Sequence, residues 1–139
     1  MSKSSLGMLR KKKRLVVGGS KRTYLKPNSI RIRDNRGELA RPIYDVFKGD
    51  KDELFVEFLI IEDENLFGIT VADDNSENAY KVNVDKGYRT VYCTPVIEAL
   101  GKVLGYKIEK AIILNGTVEV DEETQQNYFI ADYSSLIKK

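Results

Sequence analysis

A proline-led hexapeptide occurs twice in this chain, and its recurrence limits the possible folds more than any other feature. Pro42-Ile43-Tyr44-Asp45-Val46-Phe47 and Pro95-Val96-Ile97-Glu98-Ala99-Leu100 agree in character at five of six positions, about 53 residues apart. Each has the same prelude. Ser29-Ile30-Arg31-Ile32-Arg33 and Tyr80-Lys81-Val82-Asn83-Val84 alternate apolar and polar residues, the period of a strand with one buried face. A turn signal follows, Asp34-Asn35-Arg36-Gly37 in one copy and Asp85-Lys86-Gly87 in the other, with Gly37 able to take a positive φ. Short second strands come next, over Glu38-Leu39-Ala40-Arg41 and over Arg89 to Thr94. Proline then stands where a helix needs no N–H, and glycine closes each helix, at Gly49 and at Gly101.

An apolar strand pair completes each copy. Leu54 to Ile61 and Asn65 to Ala72 form the first. Tyr106 to Leu114, an Asn115-Gly116 hairpin turn and Thr117 to Val120 form the second, with a last strand over Asn127 to Tyr133 and a helical turn after it. One such unit cannot bury its own apolar face, whereas two can close a small barrel and remove the exposed edges. The expected fold is therefore mostly β with short helices. Two pseudo-symmetric strand-turn-strand-helix-hairpin units, about 23–72 and 79–133, share one compact domain over 23–139. A length of 139 residues and a hydrophobic share of 42% suit one such core. Phe47 and Leu100 are expected to be equivalent and buried.

Charge is unevenly distributed. Residues 1–41 carry 13 Lys and Arg against Asp34 and Glu38, a net charge of +11, whereas residues 42–139 carry 10 basic and 19 acidic residues, a net charge of −9. Residues 1–22 read as a flexible basic arm around Arg10-Lys11-Lys12-Lys13-Arg14, with Leu15-Val16-Val17 as a short edge strand at most. A basic segment of this density suits a polyanion, since duplex DNA carries about one negative charge per 1.7 Å of axis. The alternative is mutual neutralisation of the two parts, within the chain or between copies.

Several chemistries are excluded by residue type. The chain has no histidine and one cysteine. Imidazole catalysis, His-based triads, His-containing zinc sites and a Cys-only metal site in one chain all fall away. Cys93 lies in an apolar strand and reads as inert and buried; a lone cysteine fits a reducing, cytoplasmic setting. The basic N-terminus lacks the apolar stretch of a secretory signal, and no run of about 18 apolar residues marks a membrane span. The acidic stretch Asp73 to Asn78 lacks the spacing of a calcium loop. No cofactor, metal or small-molecule substrate is expected, and the chain reads as non-enzymatic.

The stretch Lys81-Val82-Asn83-Val84-Asp85-Lys86-Gly87-Tyr88-Arg89-Thr90-Val91-Tyr92-Cys93-Thr94-Pro95-Val96-Ile97-Glu98-Ala99-Leu100-Gly101 resembles the AbrB-like swapped-hairpin family. That pattern is an alternating strand, a Gly-Arg turn, an apolar strand reaching a proline, a short helix ending Leu-Gly and a closing hairpin. Ile30 to Val71 resembles it more loosely. Here Gly87-Tyr88-Arg89 has one inserted residue, and the helices carry Asp45 and Glu98 where the family has an arginine. The resemblance implies a DNA-binding transcriptional regulator or antitoxin, working as a dimer or as tandem copies in one chain, as in the MraZ family. By position the family's turn and strand arginines fall on Arg36 and Arg89.

The candidate nucleic-acid contacts are Lys11, Lys12, Lys13, Arg14, Lys21, Arg22, Arg31, Arg33, Arg36, Lys86 and Arg89. Arginine suits bidentate contacts to bases and phosphates. Tyr24, Tyr88 and Tyr92 are candidates for stacking on bases or, as commonly, half-buried strand residues. DNA is favoured as partner, together with self-association. The rival expectation is a structural or assembly protein, virion-like, whose basic arm docks on an acidic neighbouring subunit.

Overall fold

The computed structural model describes residues 25–138, and the readings of the arm and of Tyr24 lie outside them. The described chain runs β1 (Ser29–Ile32), β2 (Arg36–Leu39), α1 (Arg41–Lys48), β3 (Phe55–Ile61), β4 (Leu66–Ala72), β5 (Tyr80–Lys81), β6 (Asn83–Asp85), β7 (Tyr88–Tyr92), α2 (Thr94–Leu104), β8 (Ile112–Val120) and β9 (Asn127–Asp132), with 3-10 turns at Glu62–Glu64 and Ser134–Leu136. The fold is mostly β. Every pairing is antiparallel, and the strand order is β5-β3-β4-β9-β8-β1-β2-β7-β6.

The two ends of that order, β5 and β6, follow each other in the chain with only Val82 between them. Val82 is buried, and its N–H donates to the Leu54 carbonyl at 2.9 Å. One bent segment therefore pairs with β3 through its first residues and with β7 through its last. The sheet is nearly closed into a barrel through the chain itself, which shortens both edges: β5 covers Phe55 and Val56 of β3, and β6 covers Tyr88 to Thr90 of β7.

The strand order is unchanged when the halves are exchanged. The β1–β2 hairpin corresponds to β5/β6–β7, and β3–β4 corresponds to β8–β9. Each second hairpin lies against the first strand of the other half, β3 on β5 and β8 on β1. Registers agree too. Arg31 faces Glu38 as Asn83 faces Thr90, and Phe58 faces Ile69 as Val118 faces Phe129. The pseudo-twofold axis runs where counterparts pair with each other, at Glu38–Thr90 on one side and Ile69–Phe129 on the other. Both proline-led helices close the core: Phe47 and Leu100 are both fully buried, among Ile43, Leu54, Phe67, Ile97 and Phe129.

Three glycines depart from the sequence reading, two of them, Gly116 and Gly101, for want of space. Asn115-Gly116 is not a hairpin turn. It lies within β8, whose residues up to Asn115 pair with β1 and whose residues from Gly116 pair with β9. A Cβ on Gly116 would run into the Ile130 carbonyl, so glycine marks the corner where the strand passes between partners. The expected strand from Tyr106 correspondingly begins only at Ile112. Gly101 does not close α2 but sits inside it, where a Cβ would stand 2.8 Å from the Tyr106 carbonyl oxygen; Gly105, at φ 93°, ends the helix. Gly37 lies in β2 beside Ile32, and the first turn is made by Arg33 to Arg36, with the Arg33 N–H donating to the Arg36 carbonyl. In the second turn Lys86 and Gly87 both have positive φ, 51° and 85°, as a two-residue hairpin of this hand requires. No helix among the described residues is long and apolar enough to cross a membrane.

Two truncations test the equivalence of the halves. Phe47→Ala and Leu100→Ala should each lower the unfolding free energy by about 2–5 kcal/mol in denaturant melts. A neutral result at either position would show that the helices do not serve the core alike.

Candidate nucleic-acid interface

The outward side of β6-β7-β2-β1 carries Arg31, Arg33, Arg36, Tyr88 and Tyr92. Strand alternation turns Ile30, Ile32, Leu39 and Val91 into the core and leaves Arg31, Glu38 and Thr90 on the other side. Register aligns Asn83, Thr90, Glu38, Arg31 and Ile113 in one row across β6, β7, β2, β1 and β8. Tyr88 and Tyr92 flank Thr90 on this side and are 47% and 59% exposed.

Glu38 organises the centre of the row. Its Oε1 accepts from Arg31 Nη1 at 3.0 Å and from Arg33 Nε at 3.4 Å. Glu38 is buried and Arg31 is 9% exposed, so this pair is removed from water. The alternating pattern brings Arg31 and Arg33 to one face, but they are not equally available there. Arg31 is spent on Glu38, whereas Arg33 has a side chain 37% exposed and presents its outer nitrogens at the rim. Arg36 lies in the next row opposite Tyr92, its Nη1 donating to Asn35 Oδ1 at 3.3 Å.

Lys86 and Arg89 come from the other turn. With Arg31, Glu38, Arg41 and Tyr88 they line a cleft of about 370 Å³ between that turn and the start of α1. Four cations face one carboxylate there. Arg89 is tied down: its Nη1 donates to the Gly87 carbonyl at 2.6 Å and its guanidinium lies 5.8 Å from the Tyr44 ring centroid, within cation–π range. Its Nε is buried without a hydrogen-bond partner. Arg41 adds an exposed pair with Asp45 at 3.6 Å, of the kind that contributes little.

The site thus gathers Arg31, Arg33, Arg36 and Lys86 on one side of the barrel, whereas Arg89, alternating with Tyr88 and Thr90, points to the other side of β7 toward Tyr44, and Lys11, Lys12, Lys13, Arg14, Lys21 and Arg22 lie outside the described residues. Glu38 and Arg41 are members that the sequence reading did not single out. Writing out the register of the first hairpin would have set Glu38 opposite Arg31. Among the described residues no group of His, Cys, Asp or Glu is arranged to hold a metal ion. Cys93, at the start of α2, is fully buried, and burial pushes its thiol up to about 12, against a weaker lowering by a hydrogen bond from the Gly37 backbone.

No family model matches the chain, and no curated protein or solved structure is significantly similar to it.

Two measurements follow from the buried groups. Glu38→Gln leaves Arg31 buried without its countercharge and should cost about 3–5 kcal/mol in denaturant melts, whereas the joint change Arg31→Met with Glu38→Leu should recover most of that loss. Equal losses in both variants would mean that the ion pair is not what the side chains contribute. The raised thiol pKa makes native Cys93 inert to alkylation at pH 8, with full reactivity on unfolding. Because the folded thiol holds its proton more tightly than the unfolded one, this contribution to stability is complete below about pH 9 and is lost as pH rises through about 12.

Proposed function

We propose that the chain is a non-enzymatic DNA-binding protein, a transcriptional regulator of the swapped-hairpin type, whose β6-β7-β2-β1 side lies on the duplex. The observation that carries this reading is the common placement of Arg33, Arg36, Lys86, Tyr88 and Tyr92 around the pseudo-twofold axis at Glu38–Thr90. The exchange of hairpins between the halves supports it, since that is the arrangement the AbrB-like resemblance implies.

Dimensions support it as well. The Arg33–Arg36 turn stands at one end of β2 and the Lys86–Gly87 turn beside the other. Three strand steps separate the ends of β2, about 10 Å, and the second turn stands just beyond the far end. A major groove about 12 Å wide lets the two turns reach phosphates on its two lips while the strands between them face the base edges. The basic arm adds phosphate contacts that are independent of sequence. Arg31 is a positioning residue in this reading: with Glu38 it fixes the base on which Arg33 is displayed. Within the −9 part only β6, β7 and the turn between them contribute to this face, with Lys86, Tyr88 and Tyr92, while β3, β4 and β9 form the far side of the barrel.

Duplex binding at several salt concentrations tests the proposal. Affinity should fall steeply with salt, and replacing Arg33, Arg36 and Lys86 together by Ala should make the slope of log K against log salt shallower by up to about 3. Removing Lys11, Lys12, Lys13 and Arg14 should make it shallower by a further 3–4 or so, weakening all sequences alike. No measurable affinity at about 50 mM salt, with self-association of the protein alone, would replace this reading with the assembly one.

A further inference from the structure

The barrel backbone is pseudo-symmetric about Glu38–Thr90, but the side chains on its outward side are not. Counterparts by register are Arg31 and Asn83, Arg33 and Asp85, Arg36 and Tyr88, Glu38 and Thr90. In the turns Asp34 corresponds to Lys86, and within the strands Gly37 corresponds to Arg89. At the three arginine positions the cation of the first half is replaced by a neutral or acidic group in the second, and at the fourth Glu38 is replaced by neutral Thr90. In the second turn Lys86 offsets Asp85, while Arg89 points to the other side of β7, toward Tyr44. Counting the outward and turn positions, three arginines against Asp34 and Glu38 leave the first side at +1, and Lys86 against Asp85 leaves the second side at 0.

Unequal chemistry on the two sides has a definite consequence. Phosphate contact depends on charge, and each turn carries a cation, Arg36 in one and Lys86 in the other, so both sides can rest on the backbone. Base reading depends on donor and acceptor geometry, so the two sides cannot read alike. Arg33 and Arg36 present guanidinium donors of the kind that pair bidentately with guanine. Asp85 presents an acceptor suited to a cytosine amino group, and Tyr88 a hydroxyl and a ring face. Neighbours reinforce the difference: Arg36 stands beside the exposed ring of Tyr92, whereas Tyr88 stands over the cation-lined cleft beside Ala40.

We infer that one barrel takes up an asymmetric duplex element. The Arg33–Arg36 side meets a guanine-bearing half and the Asp85–Tyr88 side meets a different half, with no palindrome about the centre of a single barrel's footprint. This rests on the DNA-binding reading. A second copy of the chain would repeat the asymmetric element in inverted orientation and would not make the element itself symmetric.

Selection from a random duplex library with the full chain, followed by sequencing of bound and unbound pools, tests the inference. The expected consensus lacks twofold symmetry within one footprint. Arg33→Ala and Arg36→Ala should each flatten the preference on one side of its centre only, by about tenfold or more at the affected base. Asp85→Asn and Tyr88→Phe should flatten the opposite side. All four positions lie at the rim or surface of the face, and a thermal melt of each variant verifies that the barrel is retained. A palindromic consensus, or strong binding without sequence preference, overturns the inference and leaves DNA binding standing. Flattening on both sides by a single substitution overturns it equally. Absence of binding to any duplex overturns the DNA-binding reading itself, and the inference with it.

Discussion

Closure of the sheet at Val82 is the constraint on which the rest of the structure depends. One segment of six residues serves β3 on one side and β7 on the other, and the Val82 N–H to Leu54 bond lies where it turns from one to the other. Without that segment β3 and β7 would each expose an unpaired edge, a template for association with other chains. Closure also makes the halves interdependent. The second hairpin of each half pairs with the first strand of the other, so neither half has a complete sheet of its own. Such a barrel is one cooperative unit with a shared core, in which Ile69 and Phe129 meet on the axis and both helices insert a large apolar side chain.

The same symmetry that builds the core sets the character of the outward side. Residues facing inward must be apolar in both halves, because they share one interior. Residues facing outward near Glu38 and Thr90 have no such obligation, and here the halves diverge. The Arg31–Glu38 pair sits where the divergence is sharpest. A buried ion pair is weak support for stability when compared with apolar side chains of the same volume, but once present it makes each partner indispensable to the other. Its structural result is a fixed carboxylate that also holds Arg33 Nε, so the guanidinium at the rim is oriented by the one beneath it. On the other half Arg89 is oriented differently, by Gly87 and the Tyr44 ring.

Much of this was legible in the residues, and the rest was not for identifiable reasons. Strand periodicity, the two prolines and the order of elements are local signals, so the repeat and the barrel followed from them. The exchange of hairpins is a long-range pairing, and no local pattern carries it. Glycine was the main source of error. Turn chemistry reads glycine as a need for positive φ, which holds at Gly49 and Gly87. Gly116 and Gly101 are instead required because a Cβ would strike a backbone carbonyl, a constraint visible only after packing. Alternation placed Arg31 and Arg33 on one face correctly, yet only the facing strand reveals that Glu38 takes up Arg31 and leaves Arg33 at the rim.

The claim that the side centred on Glu38–Thr90 is the working face is open to one direct measurement, the backbone amide spectrum of the isotope-labelled chain titrated with a short duplex. The account predicts shifts concentrated at Arg33 to Glu38 and at Asp85 to Tyr92, on both sides of the axis, with Leu59, Gly68 and Ile130 on the opposite side of the barrel unmoved. Shifts centred on those three residues, or confined to one turn with the axis pair silent, would contradict it.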